Sequence, residues 1–386
     1  MTDKATNPTN HLIEIKQYGQ SIWMDNLNRD LIQSGELKEL VENKGICGLT
    51  FNPAIFEKAI SGNVIYDADI EAGIKAGLPT DKIYESLVFE DIRNACDILR
   101  PVYEASNGLD GYVSIEVPPT ISHDTSAIIE EARRYYQEIN RENVMIEIPG
   151  TKEGWPAVEQ VISEGINVNV TLLFSVESYV KAAMAYIQGL EKRAAEGKDI
   201  SKIASVASFF LSQIDSNIDE RIDVKLESVD RLEKEVVLDL VRGKMALANA
   251  KIAYQKYKEI IQSARWKALS AKGAKVQRLL WASTSTKDLS YSNVKYVNEL
   301  VGPDTVNTVL PATIEAWADP YEVQNRLETR VEEAYNLMES LKQPDINIKI
   351  DEVMDELLVE GIDKFVKAFE LLMNSLEEKV KRLSPV

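Results

Sequence analysis

The stretch NVMIEIPGTKEGWPA, residues 143–157, decides how this chain is read. Val144, Ile146 and Ile148 alternate, the period of a strand with one buried apolar face, and Met145 and Glu147 occupy the other face. An apolar strand that aims a carboxylate inward just before its end is not ordinary packing. Buried Asp and Glu are rare without partners, and an unpaired buried polar group is costly.

Segments of the same kind recur on both sides. SIWMD (21–25), GICGLTFN (45–52), GYVSIEV (111–117), NVMIEI (143–148), GINVNVTLLF (165–174), KIASVASFF (202–210), RLLWAST (278–284) and TVNTVL (305–310) read as strands. Amphipathic stretches lie between them. In 124–139, Asp124 or Thr125 caps a helix with Ile128, Ala132, Tyr135 and Tyr136 as its stripe; 176–197 ends at Gly197, a C-cap residue. From Asp351 to Leu383, residues Leu358, Ile362, Phe365, Phe369, Leu372 and Leu376 share one helical face. That pattern predicts a long helix packed over the domain, with a coiled-coil arm as the alternative.

Eight strand–helix alternations predict an α/β (β/α)8 TIM barrel with additional helices, including the long C-terminal one. A doubly wound sheet is the alternative, but no GxGxxG follows the first strand. The connections 53–109 and 211–277 are expected to hold extra helices. Residues 1–386 therefore read as one domain, with residues 1–11 a flexible N-terminus.

Composition removes several functions. The net charge of −18 leaves no basic face for phosphate neutralisation, so no nucleic-acid partner is expected. Two cysteines, Cys47 and Cys96, fit a reducing cytoplasm and no disulfide framework; two histidines, His11 and His123, exclude a His-rich metal site. The polar start MTDKATNPTNHL is no signal peptide, and no apolar run reaches membrane-spanning length, so a cytoplasmic protein is expected.

The inward faces turn polar near the strand ends: Asp25, Asn52, Ser114, Glu116, Glu147, Asn169, Thr171, Ser208 and Ser283. Barrel active sites sit at the C-terminal ends of strands. A single inward Ser, Asn or Thr is ordinarily a satisfied core group. Three carboxylates on separate strands, Asp25, Glu116 and Glu147, point to a site.

These residues fall in segments that resemble the bacterial and plant-type transaldolases: QYGQSIWMDNLNRDLI, GLTFNPAIFEKAI, DGYVSIEVPP, IPGTKEG, GINVNVTLLFS, SVASFFLSQID, and LWASTSTKD followed by GPDTVNT. The resemblance is in order and covers nearly the whole chain. It implies a barrel that transfers a dihydroxyacetone unit between sugar phosphates without metal or organic cofactor. It also implies roles: Asp25 as the acid/base at the C4 hydroxyl, Glu116 as the carboxylate acting through a water, and Asn52, Asn169, Thr171 and Ser208 as groups orienting substrate. The family's Schiff-base lysine, in IKIPGT, aligns with Glu147. Its phosphate-gripping arginine aligns with Gln213, and Lys287 matches the other cationic phosphate contact. Phe51 and Trp155 suggest a more apolar rim.

A carboxylate cannot form an imine. The expectation drawn is therefore altered, non-Schiff-base chemistry on a phosphorylated small molecule, by Asp25, Glu116 and Glu147 as acid/base groups or as ligands of Mg²⁺. The alternatives are an active transaldolase, interconverting sedoheptulose 7-phosphate plus glyceraldehyde 3-phosphate with erythrose 4-phosphate plus fructose 6-phosphate, in which Lys152 supplies the amine, and a non-catalytic relative. A monomer or homodimer is expected.

Overall fold

The strands that the alternation marks out form one parallel sheet. A computed structural model describes residues 11–227, 232–317 and 323–384. The residues expected to form a flexible N-terminus lie, but for His11, outside that description. β1 is Gln20–Met24, β2 Val113–Glu116, β3 Val144–Pro149, β4 Val168–Leu173, β5 Ser205–Phe210, β6 Arg278–Ala282 and β7 Thr305–Val309. Their order is β1-β7-β6-β5-β4-β3-β2, every pairing parallel.

The sheet curls and closes between β1 and β2. The segment GICGLTFN, expected as a strand, does so with isolated parallel bridges at Leu49, to Met24 on one side and Val113 on the other. Its backbone is nonetheless laddered: Cys47 N donates to Ile22 O, Thr50 N to Met24 O, Leu49 N to Tyr112 O and Ser114 N to Leu49 O. A Cβ on Gly48 would lie 2.5 Å from the Trp23 indole, so the backbone runs directly against the ring. The architecture is thus the TIM-type barrel expected, with one stave shortened.

The helices follow the capping chemistry. Asp124, the N-cap of Thr125–Ile139, accepts from Ala127 N, and this helix buries Ile128, Ala132, Tyr135 and Ile139, with Tyr136 half-buried. Ser175 caps Val176–Ala195, whose C-cap is Glu196, followed by Gly197 at φ 72°. Both long connections hold the extra helices expected, among them Pro53–Gly62 and Thr80–Ala105 in the first and Ser212–Leu226 and Met245–Gln262 in the second.

The C-terminal helix, Ile350–Leu383, is packed on the barrel rather than standing off as an arm. Leu372 and Leu376 are fully buried, Phe365 approaches Phe210 and Phe369 approaches Tyr84. Lys379, itself buried, donates to Ile60 O and Asn63 O and pairs with Asp67 at 2.6 Å, which fastens the helix to the end of Pro53–Gly62. Cys47 and Cys96 are free and buried.

Candidate active site

Parallel pairing carries one face of each strand into the barrel. Glu116 is the register partner of Glu147, and Glu147 of Asn169, so all three point inward at the same level near the strand ends. Asp25 follows β1 directly and its backbone N–H donates to Val309 O at 2.8 Å. The carboxylates predicted from alternation therefore meet at the C-terminal end of the barrel, where such folds place their chemistry.

Each is held differently. Asp25 accepts from Thr50 Oγ1 at 2.9 Å and from Asn52 Nδ2 at 3.2 Å. The Asn52 amide can face only one way, because its Oδ1 accepts from Ala54 N and Ile55 N as the N-cap of Pro53–Gly62. Glu147 Oε1 receives one long bond from Asn169 Nδ2, 3.4 Å. Asn169 is the hub: its Nδ2 also donates to Ser114 Oγ at 3.1 Å, and its Oδ1 accepts from Ser208 Oγ at 2.6 Å. Thr171 lies two residues along the same face of β4 and is buried.

Burial sets the protonation. It pushes the Glu116 carboxyl up to about 8. Glu147 is raised well above the usual carboxylate range, first by burial and then by the charges of Glu116 and Asp25. Asp25 is also raised by burial, against the lowering hydrogen bonds from Thr50 and Asn52. At neutral pH Glu116 is thus mainly a neutral acid, able to donate as well as accept, and the same burial favours the protonated form of Glu147.

The remaining predicted residues scatter around the mouth. Gln213, at the start of Ser212–Leu226, donates through Nε2 to Ser283 Oγ at 2.9 Å. Ser283 sits at φ 52° and Leu172 at φ 59°, left-handed conformations of bulky or ordinary residues at two strand ends. Lys287 is exposed beyond β6, with partial desolvation and then Lys364 lowering its ammonium. No hydrogen bond or ion pair among the described residues joins it to Gln213 or to the carboxylates.

Lys152 stands on the loop after β3. That loop is fixed by Thr151, whose Oγ1 donates to Ser122 O, and by Gly154, where a Cβ would fall 2.1 Å from Pro149 O. Lys152 and Trp155 line a cavity of about 510 Å³ that Leu172, Phe174 and, from the C-terminal helix, Met354 and Leu358 complete. Asp25, Glu116 and Glu147 do not line this cavity. Phe51 is not at this cavity; it is buried and packs on Phe56 at 5.4 Å between centroids.

Sequence reasoning missed three neighbours. Thr50 holds Asp25, Thr308 contacts Thr50 at 2.9 Å, and buried Tyr84 is close enough for the Glu116 charge to raise its phenol. The signal for Thr50 was present: it lies two residues before Asn52 and so shares its face. The metal expectation fares differently. Among the described residues no group of three or more His, Cys, Asp or Glu side chains is placed to hold a metal ion. Nor, among them, is any helix long and apolar enough to cross a membrane.

The family model described as Transaldolase/Fructose-6-phosphate aldolase matches residues 22–376. A protein named Transaldolase 2 from a Nostoc species is 76% identical over 98% of this chain and 99% of its own length. Another of that name, from Nostoc punctiforme, is 74% identical over 98% of this chain and all of its own. A Transaldolase from Saccharopolyspora erythraea is 44% identical over 96% and 98% of the two chains. These near full-length matches overturn the expectation of altered, non-Schiff-base chemistry and favour the alternative stated beside it.

Proposed function

The chain belongs to the transaldolase/fructose-6-phosphate aldolase family, and from that premise we propose that it is an active transaldolase, moving a dihydroxyacetone unit between phosphorylated sugars. The observation that carries this is the 76% identity to a relative named Transaldolase 2 across 98% of the chain. The same match supports one barrel domain; a cytoplasmic monomer or homodimer belongs to the same proposal.

In this reading Asp25 takes the proton from the C4 hydroxyl of the ketose. Burial raises its pKa, and the hydrogen bonds from Thr50 and Asn52 oppose that rise by favouring the ionised form. Glu116, protonated near neutrality, passes a proton through a water. The Asn52, Asn169, Thr171 and Ser208 side chains orient substrate hydroxyls. Gln213 and Lys287 face the phosphate end, with less charge than an arginine pair would give.

Glu147 occupies the strand position where the family resemblance puts the Schiff-base lysine, and a carboxyl does not form an imine. The reading therefore requires an amine from elsewhere at the mouth. Lys152, five residues on in the loop after β3, is the nearest lysine in sequence. The test is transfer from fructose 6-phosphate to erythrose 4-phosphate, followed by borohydride trapping and peptide mapping. Turnover with a three-carbon adduct on a lysine peptide supports the proposal and identifies the amine. No transfer and no adduct overturns it, leaving a barrel that binds without Schiff-base catalysis.

A further inference from the structure

Asp25 is the one carboxylate of the three whose two oxygens are both engaged by neighbours that are themselves fixed. A threonine hydroxyl carries one proton. Thr50 Oγ1 spends its proton on Asp25 Oδ1 at 2.9 Å, so in the 2.9 Å contact between Thr50 Oγ1 and Thr308 Oγ1 the donor is Thr308. Thr308 is 6% exposed, which denies its hydroxyl an outlet to bulk water. Its own carbonyl is occupied by Thr284 Oγ1 at 3.0 Å. The strand that carries it is paired to β1, Trp23 opposite Thr308, and the next residue, Val309, accepts the Asp25 N–H. The hydroxyl chain therefore runs in one direction, from β7 through the short stave to the end of β1.

We propose that Thr308 is a positioning residue: its hydroxyl donates to Thr50, commits the single Thr50 proton to Asp25, and so holds the Asp25 carboxylate in one orientation. This rests on the reading that Asp25 handles the substrate proton. Aligned hydroxyls polarise one another, so the last bond of the chain, to Asp25, is the one strengthened. The titratable groups facing Asp25 are Glu147 from β3 and, beyond it, Glu116 from β2, both carboxyls. No cation appears among the groups acting on Asp25. Its ionised form depends on the Asn52 amide and on this relay.

The test compares Thr308→Val, Thr308→Ala and Thr308→Ser, each with and without Thr50→Val, by titrating the Asp25 carboxyl carbon by NMR in full-length protein, assigned with Asp25→Asn. Removing the hydroxyl should raise the Asp25 midpoint by about half a pH unit, the size of one modest hydrogen bond. Thr308→Ser, which keeps the hydroxyl, should restore the wild-type midpoint. In the Thr50→Val background, Thr308→Val should add nothing. A Thr308→Val midpoint equal to that of Thr308→Ser, or an equal shift with and without Thr50, overturns the relay. Should Thr308→Val disturb folding, Thr308→Ala against Thr308→Ser decides the same question. The titration needs no turnover, so its failure is distinct from failure of the transferase reading. Where turnover is measurable, the acidic limb of kcat should move up with the midpoint while KM stays constant.

Discussion

The two ends of the barrel bury acids to the same depth and treat them in opposite ways. At the N-terminal end, Asp110 is 7% exposed; at the C-terminal end, Glu116 is 8% exposed. Burial penalises both. Yet Asp110 is held below the usual carboxylate range, because Arg278 donates from 2.9 Å, Ser21 from 2.6 Å and Trp23 Nε1 from 3.2 Å. Glu116 has no such company and rises to about 8. Depth therefore does not set the protonation of these carboxyls; pairing does. The paired end closes the barrel floor, and the unpaired end keeps protons that it can exchange near neutrality.

The largest effect expected from this contrast is at the floor. Arg278 also donates to Leu109 O and to Ser21, so Arg278→Met strips Asp110 of its counter-charge and leaves a buried anion. Equilibrium denaturation at pH 7 should show a loss of roughly 3–5 kcal/mol. A loss under about 1 kcal/mol would mean that the hydroxyl and indole donors suffice alone and that the contrast with Glu116 has another origin.

The second effect has a pH signature of opposite sign at the two ends. Asp110 has a depressed folded pKa; its contribution is present above the ordinary carboxylate pKa and is lost as pH falls through the folded value. Glu116 and Glu147 have raised folded pKa values. They cost nothing below the ordinary carboxylate range; stability then falls as pH rises from that range toward the folded values, about 8 for Glu116, and the loss levels off once the folded carboxyl is ionised too. Glu147→Gln keeps the shape and the contact with Asn169 but removes one titration. It should be near neutral at pH 5 and more stable than wild type at pH 9, because it removes a buried group that resists ionisation. Parallel stability–pH curves for the two proteins would show that Glu147 does not resist ionisation.

Little of this contrast could be read along the chain, although most of the scaffold could. Strand positions were legible because period-two alternation is local, and the inward carboxylates because they interrupt it. The stave at Leu49 is shorter than its apolar pattern suggests: it pairs on both sides through isolated bridges rather than as a full strand. The Arg278–Asp110 pair joins residues 168 apart, and Thr308–Thr50 residues 258 apart. Such partners are fixed by barrel closure, which no local period encodes. The C-terminal helix was legible as a stripe, while its fastening by Lys379 to Ile60 and Asn63 was not.

A third, smaller effect tests whether the mouth is organised at all apart from its acids. Asn169 links Ser208, Ser114 and Glu147 across four strands while fully buried. Asn169→Ala removes the hub and leaves those groups short of partners, a cost of about 1–2 kcal/mol by denaturation. The expected accompaniment is a further rise of the Glu147 midpoint, since its one hydrogen-bond donor is gone.

The smallest effect makes the comparison at matched chemistry, one hydroxyl at each end. Ser21 Oγ donates to Asp110 and accepts from Arg278 at 2.8 Å, so it bridges two charges. Ser114 Oγ accepts one bond from a neutral amide. Hydrogen bonds to charged groups are worth more than neutral ones. Ser21→Ala should therefore cost about 1 kcal/mol and Ser114→Ala about half that. Only Ser21→Ala should also move the Asp110 midpoint upward, because only it removes a donor from an ionised acid. If Ser114→Ala proves the costlier, the mouth carries more of the barrel's stability than its unpaired acids suggest, and the division into a structural floor and a chemical rim fails.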